Sequence, residues 1–393
     1  MSNRSVLFRR WAAALLTLAP VLIPGAGERF AAHAAAAPDW EPTGLGEPVL
    51  ELYTPASGLL FARTRDGLSR SDDAGATWTA VSLPPSPRAV AVDPTGHTTL
   101  YVAGVAGLYK TADDAATWTL VLPLAERALR IAVSPADSQL VYLALTGPQS
   151  ISADFRLLRS RDGGITWEQL QEAHNSLCGW SVLILQPHPT DAGRLLRTAG
   201  CYAGRNLQDS LEQSTDRGAT WADLLRPELS FPSRVVGGRG VAPGRFYLAA
   251  NRDGRAGGSS VFRSTDDGAS WTEVLAFRGG GTEDRPAEPD VRIGGLAFNP
   301  SEPDRVYVGL NRYVGQFSDR TRTGSGVRVS ADGGVSWADL CGQDLGEISD
   351  LALGSDGLNL YAATDRGLWR FRSPDRPPAC GPSTPPPVQV PTR

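Results

Sequence analysis

The sequence predicts an all-β fold, a seven-bladed β-propeller built from four-stranded antiparallel blades. Three observations lead to this prediction. A short string containing Asp, Gly and Trp occurs six times in the 393-residue chain. Each copy lies between two short β-type runs, and the interval between copies is about the length of one propeller blade. The chain is also too long for one simple core, as expected for a domain built from repeats.

The repeated string has the pattern [ST]-x-D-x-G-x-[ST]-W and is called the repeat turn below. The Asp carboxylate can accept hydrogen bonds from N–H groups of its own turn, Gly adopts a backbone conformation closed to other residues, and the hydroxyls add local bonds. The Trp ring should pack against the neighbouring sheet. We therefore predict six hairpin turns with structural roles for Asp73, Asp113, Asp162, Asp216, Asp266, Asp332, Trp78, Trp118, Trp167, Trp221, Trp271 and Trp337. The second copy departs from the pattern because Ala115 replaces Gly.

A seventh unit, residues 347–371, supplies three β-type runs and no repeat turn. The segment PDWEP near the N-terminus places Trp40 where the Trp of a repeat turn would lie. We therefore expect an N-terminal strand to complete the last blade, which closes the ring and removes an exposed sheet edge.

The two ends of the chain have compositions unlike the repeats. A basic start, an apolar run and the pair Ala32 and Ala34 are typical of a signal peptide and its cleavage site. The Pro-rich end is typical of a flexible tail. The predicted organisation is a signal peptide at 1–34, the propeller at 35–372 and the tail at 373–393. Export is thus expected, to the medium, the cell surface or the periplasm.

Charge and cysteine content exclude some functions. A net charge of −4 argues against a nucleic-acid partner. Four cysteines in an exported protein favour structural disulfides, and of the three full pairings we expect Cys178 with Cys201 and Cys341 with Cys380. No CxxC or zinc spacing occurs, so no metal or cofactor is predicted.

Loop lengths distinguish the two faces of the predicted propeller. All repeat turns should lie on one face. The opposite face carries the loops between the second and third strands and is called the long-loop face below. These loops are long in blades three to six. Ligands are expected there, and solvated insertions without a function are an equal alternative. The binding candidates there are Tyr202, Arg205, Arg252, Arg255, Arg312, Tyr313, Phe317, Arg320 and Arg322. Arg130 and Asp350 should line the channel, facing a ligand or each other.

The repeat turns resemble the Asp-box, or BNR, repeats. The single, exported, seven-bladed form is similar to the photosystem II assembly and stability factor propellers and, more distantly, to sortilin-type ectodomains, which implies a binding protein. Sialidases also carry Asp boxes, but their Arg-Ile-Pro motif is absent from this sequence. Xyloglucanase-like hydrolases pair two propellers around a cleft with two catalytic carboxylates, whereas this chain has one propeller.

These observations favour an exported, monomeric, non-catalytic propeller that binds a protein or glycan partner through the long-loop face, without catalytic residues or a cofactor. The alternative is a sialidase- or xyloglucanase-like glycoside hydrolase with paired carboxylates on the same face. Its candidate carboxylates are Glu283, Asp284, Glu288, Asp290 and Asp319.

Overall fold

The described part of the chain consists of strands, turns and loops in a computed structural model. It covers residues 40–372 except 57, 96–97, 148–153, 175–178, 182–183, 204–205, 226–231, 238–243, 252–257, 279–289, 300, 315–320 and 341–344. Seven antiparallel sheets form the blades, which confirms the predicted seven-bladed propeller.

Each blade is a meander whose first strand is the inner strand. Blade one comprises β2 (Val49–Ala56), β3 (Leu59–Thr64), β4 (Leu68–Ser71) and β5 (Thr79–Val81). Blade two comprises β6 (Ala89–Val92), β7 (Leu100–Ala103), β8 (Gly107–Thr111) and β9 (Thr119–Pro123). Blade three comprises β10 (Arg127–Val133), β11 (Val141–Thr146), β12 (Asp154–Ser160) and β13 (Glu168–His174).

In blade four, two short strands share the inner position. This blade comprises β14 (Gly179–Ser181), β15 (Leu185–Pro187), β16 (Leu195–Ala203), β17 (Asn206–Ser214) and β18 (Ala222–Leu225). Blade five comprises β19 (Pro232–Gly237), β20 (Phe246–Asn251), β21 (Gly258–Ser264) and β22 (Thr272–Arg278). Blade six comprises β23 (Asp290–Phe298), β24 (Val306–Val314), β25 (Thr321–Ser330) and β26 (Ala338–Asp339).

Blade seven is completed from the other end of the chain. Its own strands are β27 (Ile348–Leu353), β28 (Asn359–Thr364) and β29 (Gly367–Arg372). The outer strand β1 (Trp40–Pro42) pairs antiparallel with β29 and places Trp40 opposite Phe371. The predicted closure by an N-terminal strand is therefore confirmed.

The core lies between the blades. Seven hydrophobic clusters each join two neighbouring blades, and the Trp of a repeat turn packs in six of them. The cluster between blades two and three, for example, joins Tyr101 and Leu108 to Leu143 and Leu158, with Trp167 packed against it. Trp40 occupies the equivalent place between blades six and seven. Apolar burial therefore stabilises the ring mainly at contacts between consecutive blades.

The repeat turn is a closed network of local hydrogen bonds. In the third copy, Ser160 donates its hydroxyl to Asp162 at 2.7 Å and accepts the Gly164 N–H at 2.7 Å. Thr166 donates both its N–H and its hydroxyl to Asp162, at 2.8 and 2.5 Å. The other five copies repeat these bonds. The Asp carboxylates are thus occupied by their own turns, which leaves them little capacity to bind a ligand.

The second repeat turn keeps this geometry without glycine. Ala115 lies in the left-handed region with φ of 66°, and its N–H donates to the Thr111 hydroxyl at 3.1 Å. A side chain in this region is strained, so the turn network outweighs the local backbone preference.

The repeat-turn carboxylates should make stability depend on acidic pH. Hydrogen bonds from the Thr166 hydroxyl and N–H, and from Ser160, lower the pKa of Asp162 from 3.8 to about 2, and four other copies show the same value. Because the folded pKa is depressed, the stabilisation is complete above the unfolded pKa and disappears as the pH falls through the folded pKa. We expect the Tm to fall steeply between about pH 4 and pH 2, and to fall less steeply in Asp162→Asn. An unchanged Tm–pH slope in that variant would contradict this role.

Candidate functional site

A polar cavity lies at one end of the central channel. Its volume is about 190 Å³, and the inner strands of blades one, two, three, four and seven border it near their first residues. This is the end that opens toward the predicted long-loop face. Its ionisable and phenolic lining groups within the described ranges are Glu51, Tyr53, Arg63, Arg88, Arg130 and Asp350.

The opposite end of the channel has a different chemistry. A second cavity of about 330 Å³ is lined largely by apolar residues, including Pro55, Pro94, Pro135 and Phe298. These residues lie at or just after the ends of inner strands, on the side of the repeat turns. No charged side chain lines this second cavity among the described residues, so the polar end is the part of the channel suited to proton transfer or charge recognition.

A recurring β-bulge positions the charged residues of the polar cavity. The register between first and second strands shifts between Val49 and Glu51 in blade one, and at the corresponding places before Arg130 and Asp350. A bulge inserts one residue and re-aims the next side chain, and bulges are common beside functional sites. The three charged residues thus occupy equivalent positions in blades one, three and seven.

Glu51 is the centre of a charged network. The Arg63 guanidinium contacts it at 2.9 Å and Arg130 at 3.4 Å, while the Tyr53 hydroxyl donates to it at 2.9 Å. Burial alone would raise the pKa of Glu51, but the two arginines outweigh burial and hold it below its usual value. Glu51 is therefore ionised at neutral pH. Burial and the Glu51 charge raise the pKa of Tyr53 well above its usual value, so this phenol stays protonated.

Asp350 is the second carboxylate that lines the polar cavity. Its side chain is buried, and one oxygen accepts the N–H of Leu52 at 3.0 Å. Because Leu52 follows Glu51 directly, this bond holds the inner strands of blades seven and one together where both carboxylates reach the cavity. The described ion pair of Arg130 is with Glu51.

A second polar group lies on blades six and seven. The Tyr313 hydroxyl donates to Glu347 at 3.1 Å, and the Arg292 guanidinium lies 5.2 Å from the centre of the Tyr313 ring. Asp290, one of the sequence candidates for a catalytic carboxylate, contacts Arg292 at 3.2 Å and accepts the Gly258 N–H at 2.8 Å. These contacts order a surface with an aromatic ring, which is a typical feature of binding sites.

The structure describes only some of the predicted site residues. Arg130 and Asp350 both line the polar cavity, Tyr313 lies in the blade-six group and Arg312 beside it is exposed. Tyr202 and Arg322 lie on β16 and β25, but their side chains are outside the described set. Arg205, Arg252, Arg255, Phe317 and Arg320, and the acidic candidates Glu283, Asp284, Glu288 and Asp319, lie outside the described residues.

Two of the predicted long loops are extended hairpins. In blade four, β16 and β17 pair along nine residues each, as far as Ala203 and Asn206. In blade six, β24 and β25 pair as far as Val314 and Thr321. Longer strands place their tips further from the ring and hold them by backbone hydrogen bonds, so these insertions are more regular than the loops we expected.

The described residues give little information on the cysteine and metal predictions. Cys201 lies on β16, with Trp180 as its register partner, and the other three cysteines are outside the described residues. Their pairing therefore stays a prediction. Among the described residues, no group of three or more His, Cys, Asp or Glu side chains is placed to hold a metal ion. The same part of the chain contains no helix of the length and hydropathy needed to cross a membrane.

Sequence reasoning missed Glu51, Tyr53, Arg63 and Arg88. The available signal was the alignment of inner strands, because Glu51 occupies the same bulge position as Arg130 and Asp350. Arg63 is on a second strand, and no repeat pattern marks it.

Comparison with known proteins finds partial similarity to proteins named xyloglucanase. No protein-family model matches it. A xyloglucanase of Paenibacillus sp is 29% identical over 244 residues, which cover 54% of this chain and 23% of that protein. The xyloglucanase Xgh74A of Acetivibrio thermocellus is 29% identical over 187 residues, covering 42% of this chain and 20% of that protein. The chain thus spans less than a quarter of the length of these curated relatives.

Solved structures share the fold at low identity. A GH74 enzyme of Niastella koreensis superposes with a TM-score of 0.60 at 19% identity, covering 85% of this chain and 53% of that one. An oligogalacturonate lyase of Vibrio parahaemolyticus gives 0.57 at 8% identity, covering 85% of this chain and 93% of that one. Such likenesses establish the propeller architecture, and fold alone does not define a reaction.

The expected non-catalytic role is wrong. We expected an exported propeller that only binds a protein or glycan partner through the long-loop face, but the curated relatives are named xyloglucanase. The glycoside hydrolase alternative fits this finding better.

Proposed function

We propose that this protein is a glycoside hydrolase that acts on an extracellular polysaccharide, with the polar cavity as its reaction centre. The observation that carries the proposal is the presence of two carboxylates, Glu51 and Asp350, in one channel cavity. Glycoside hydrolysis commonly requires two carboxyl groups on either side of the scissile bond. The curated relatives named xyloglucanase support the same reaction class.

We assign the two carboxylates different roles. Glu51 is held ionised by Arg63 and Arg130, which suits a nucleophile or a general base. Asp350 is the other carboxylate of the described cavity lining, and we assign it the role of proton donor to the leaving oxygen. Tyr53, which stays protonated, orients Glu51 through its hydroxyl.

The cavity is small for a polysaccharide site. Its volume of about 190 Å³ is below the ~300 Å³ of ordinary ligand pockets, so it should accept one sugar unit or part of one. The remainder of the glycan would then extend over the long-loop face, where Tyr313 and Arg292 lie. This placement makes Arg312, Tyr313 and the neighbouring sequence candidates substrate contacts in the proposal.

The proposal includes an extracytoplasmic location, with residues 1–34 as a signal peptide and 373–393 as a tail. A polysaccharide substrate outside the cell would require such export. The proposal also assigns the repeat turns to the Asp-box repeats, and the six copies of the pattern support this assignment. The likeness to photosystem II factors, a protein partner and the monomeric state stay predictions.

The direct test is hydrolysis by the purified protein without its first 34 residues. Xyloglucan, mixed-linkage β-glucan, polygalacturonate and a sialylated glycan would be incubated with it, and new reducing ends or released sialic acid measured. We expect product from at least one of them; xyloglucan is included because of the relatives' names. No product from any substrate, in a sample with an intact thermal transition, would contradict the proposed function.

A further inference from the structure

The polar cavity carries more positive than negative groups. Three guanidinium groups, Arg63, Arg88 and Arg130, and two carboxylates, Glu51 and Asp350, line it within the described ranges. The cavity therefore has a formal excess of one positive charge. Because the pKa of Tyr53 is raised, the phenol does not neutralise this excess.

The three arginines are engaged to different degrees. Arg63 is 22% exposed and its Nε contacts Glu51 at 2.9 Å, so Glu51 is its close counter-ion. Arg130 contacts Glu51 at 3.4 Å and keeps 39% of its side chain exposed. Arg88 is exposed, and its side chain has no ion pair or hydrogen bond among the described residues. Arg88 can therefore offer positive charge to a ligand at this cavity, and the exposed part of Arg130 can contact the same ligand beside its ion pair with Glu51.

Arginine is well suited to hold a carboxylate. Its planar guanidinium can donate two parallel hydrogen bonds to the two oxygens, and such bonds are stronger than neutral ones. Neutral sugars offer only hydroxyl groups, which would leave the excess positive charge of the described cavity lining unbalanced.

From this arrangement we propose that the polar cavity binds an acidic sugar unit, whose carboxylate contacts Arg88 and Arg130. This inference deepens the proposed function, since it names the substrate class of the same site. It predicts that a polysaccharide containing uronate or another carboxylated sugar fits the cavity better than a neutral glucan. Glu51 would remain the reacting carboxylate, and its ion pairs would hold Arg63 and Arg130 in place.

Binding of matched acidic and neutral ligands tests the inference without relying on cleavage. Tri-galacturonate, its methyl ester and sialyllactose would be titrated calorimetrically into the full protein at low and high salt. We expect at least one acid to bind about tenfold or more tightly than the ester, and its affinity to fall with salt. The two acids distinguish a uronate from a sialic acid. Equal affinity for acid and ester would overturn the inference.

Substitution of Arg88 locates the effect. Arg88→Gln should weaken binding of the acid about tenfold and change ester binding much less, because only the acid loses an ion pair. Arg130→Gln should act in the same direction. The control is Arg161→Gln, a side chain 55% exposed on the repeat-turn face with Glu168 as its ion-pair partner. An Arg88→Gln variant that folds and binds the acid like the parent would contradict the assignment.

The two proposals fail separately. Cleavage of xyloglucan without preference for an acid would keep the glycoside hydrolase and refute the acidic-sugar site. Tight, Arg88-dependent binding of an acid with no cleavage of any glycan would support the acidic-sugar site and refute the glycoside hydrolase.

Discussion

Replacing Glu51 with Gln should lower kcat on the best glycan substrate by roughly 10²- to 10⁴-fold, the range that acid–base catalysis contributes. The amide keeps the shape of the carboxylate and can still accept a hydrogen bond from Arg63, so the cavity should keep its structure. The lost property is the negative charge that two arginines hold in place. Steady-state hydrolysis by Glu51→Gln and by Asp350→Asn, measured beside the parent protein, checks this.

The matched control is Glu302→Gln. Glu302 is 51% exposed, contacts Arg305 at 2.7 Å and lies in the loop between β23 and β24, on the repeat-turn face. An exposed ion pair contributes about 0 to 1 kcal/mol, so this variant should retain the parental kcat. A Glu51→Gln variant that keeps most of the parental kcat would show that Glu51 is not the reacting carboxylate.

The pH profile gives an independent measure of the same group. Since Arg63 and Arg130 lower the pKa of Glu51 from 4.5, its charge persists to a lower pH than that of an ordinary glutamate. We expect the acid limb of kcat/KM to lie below about pH 4.5 and to move upward in Arg130→Gln, because one of the two stabilising charges is lost.

The architecture was predictable because the repeat couples sequence to local geometry. Asp162 and Thr166 close their own turn, and Trp167 packs against the preceding blade, so a string of eight residues specifies both a hairpin and an inter-blade contact. The closing strand could also be predicted, because Trp40 occupies the position of a repeat-turn Trp. Each repeat turn is specified by neighbouring residues, and its six copies support the same prediction.

The site was only partly predictable because it depends on register and on contacts between distant residues. Arg130 and Asp350 were found from their places on inner strands, and Glu51 at the same bulge position was missed. Arg63 reaches Glu51 across a strand pair whose register shifts by one residue, which no sequence pattern reports. The charge of the cavity is a sum over several blades, so the motif search could not reveal it.

Replacing Trp40 with Ala should lower the free energy of unfolding by about 3 to 5 kcal/mol, as for other large buried aromatic side chains. Trp40 is 5% exposed in the cluster between blades six and seven, and its indole N–H donates to the Leu340 carbonyl at 3.2 Å. Its ring meets Phe371 edge-on at 5.2 Å. Removing it weakens the one strand that joins the N-terminal segment to the last blade. Denaturant unfolding, monitored by tryptophan fluorescence and circular dichroism, measures the change.

Trp118→Ala is the matched control because the same side chain lies between blades one and two but is only partly buried. Trp118→Ala removes less buried area and leaves the closing strand unchanged, so it should lower the free energy of unfolding by less. If the two variants lost equal stability, closure would contribute no more than any other blade contact. If Trp40→Ala lost less than about 1 kcal/mol, the range of ordinary surface changes, the β1–β29 pairing would not hold the ring closed in solution. A larger loss for Trp40, with an earlier loss of far-ultraviolet signal, is the expected result, because a propeller without closure exposes the edge of β29 to solvent.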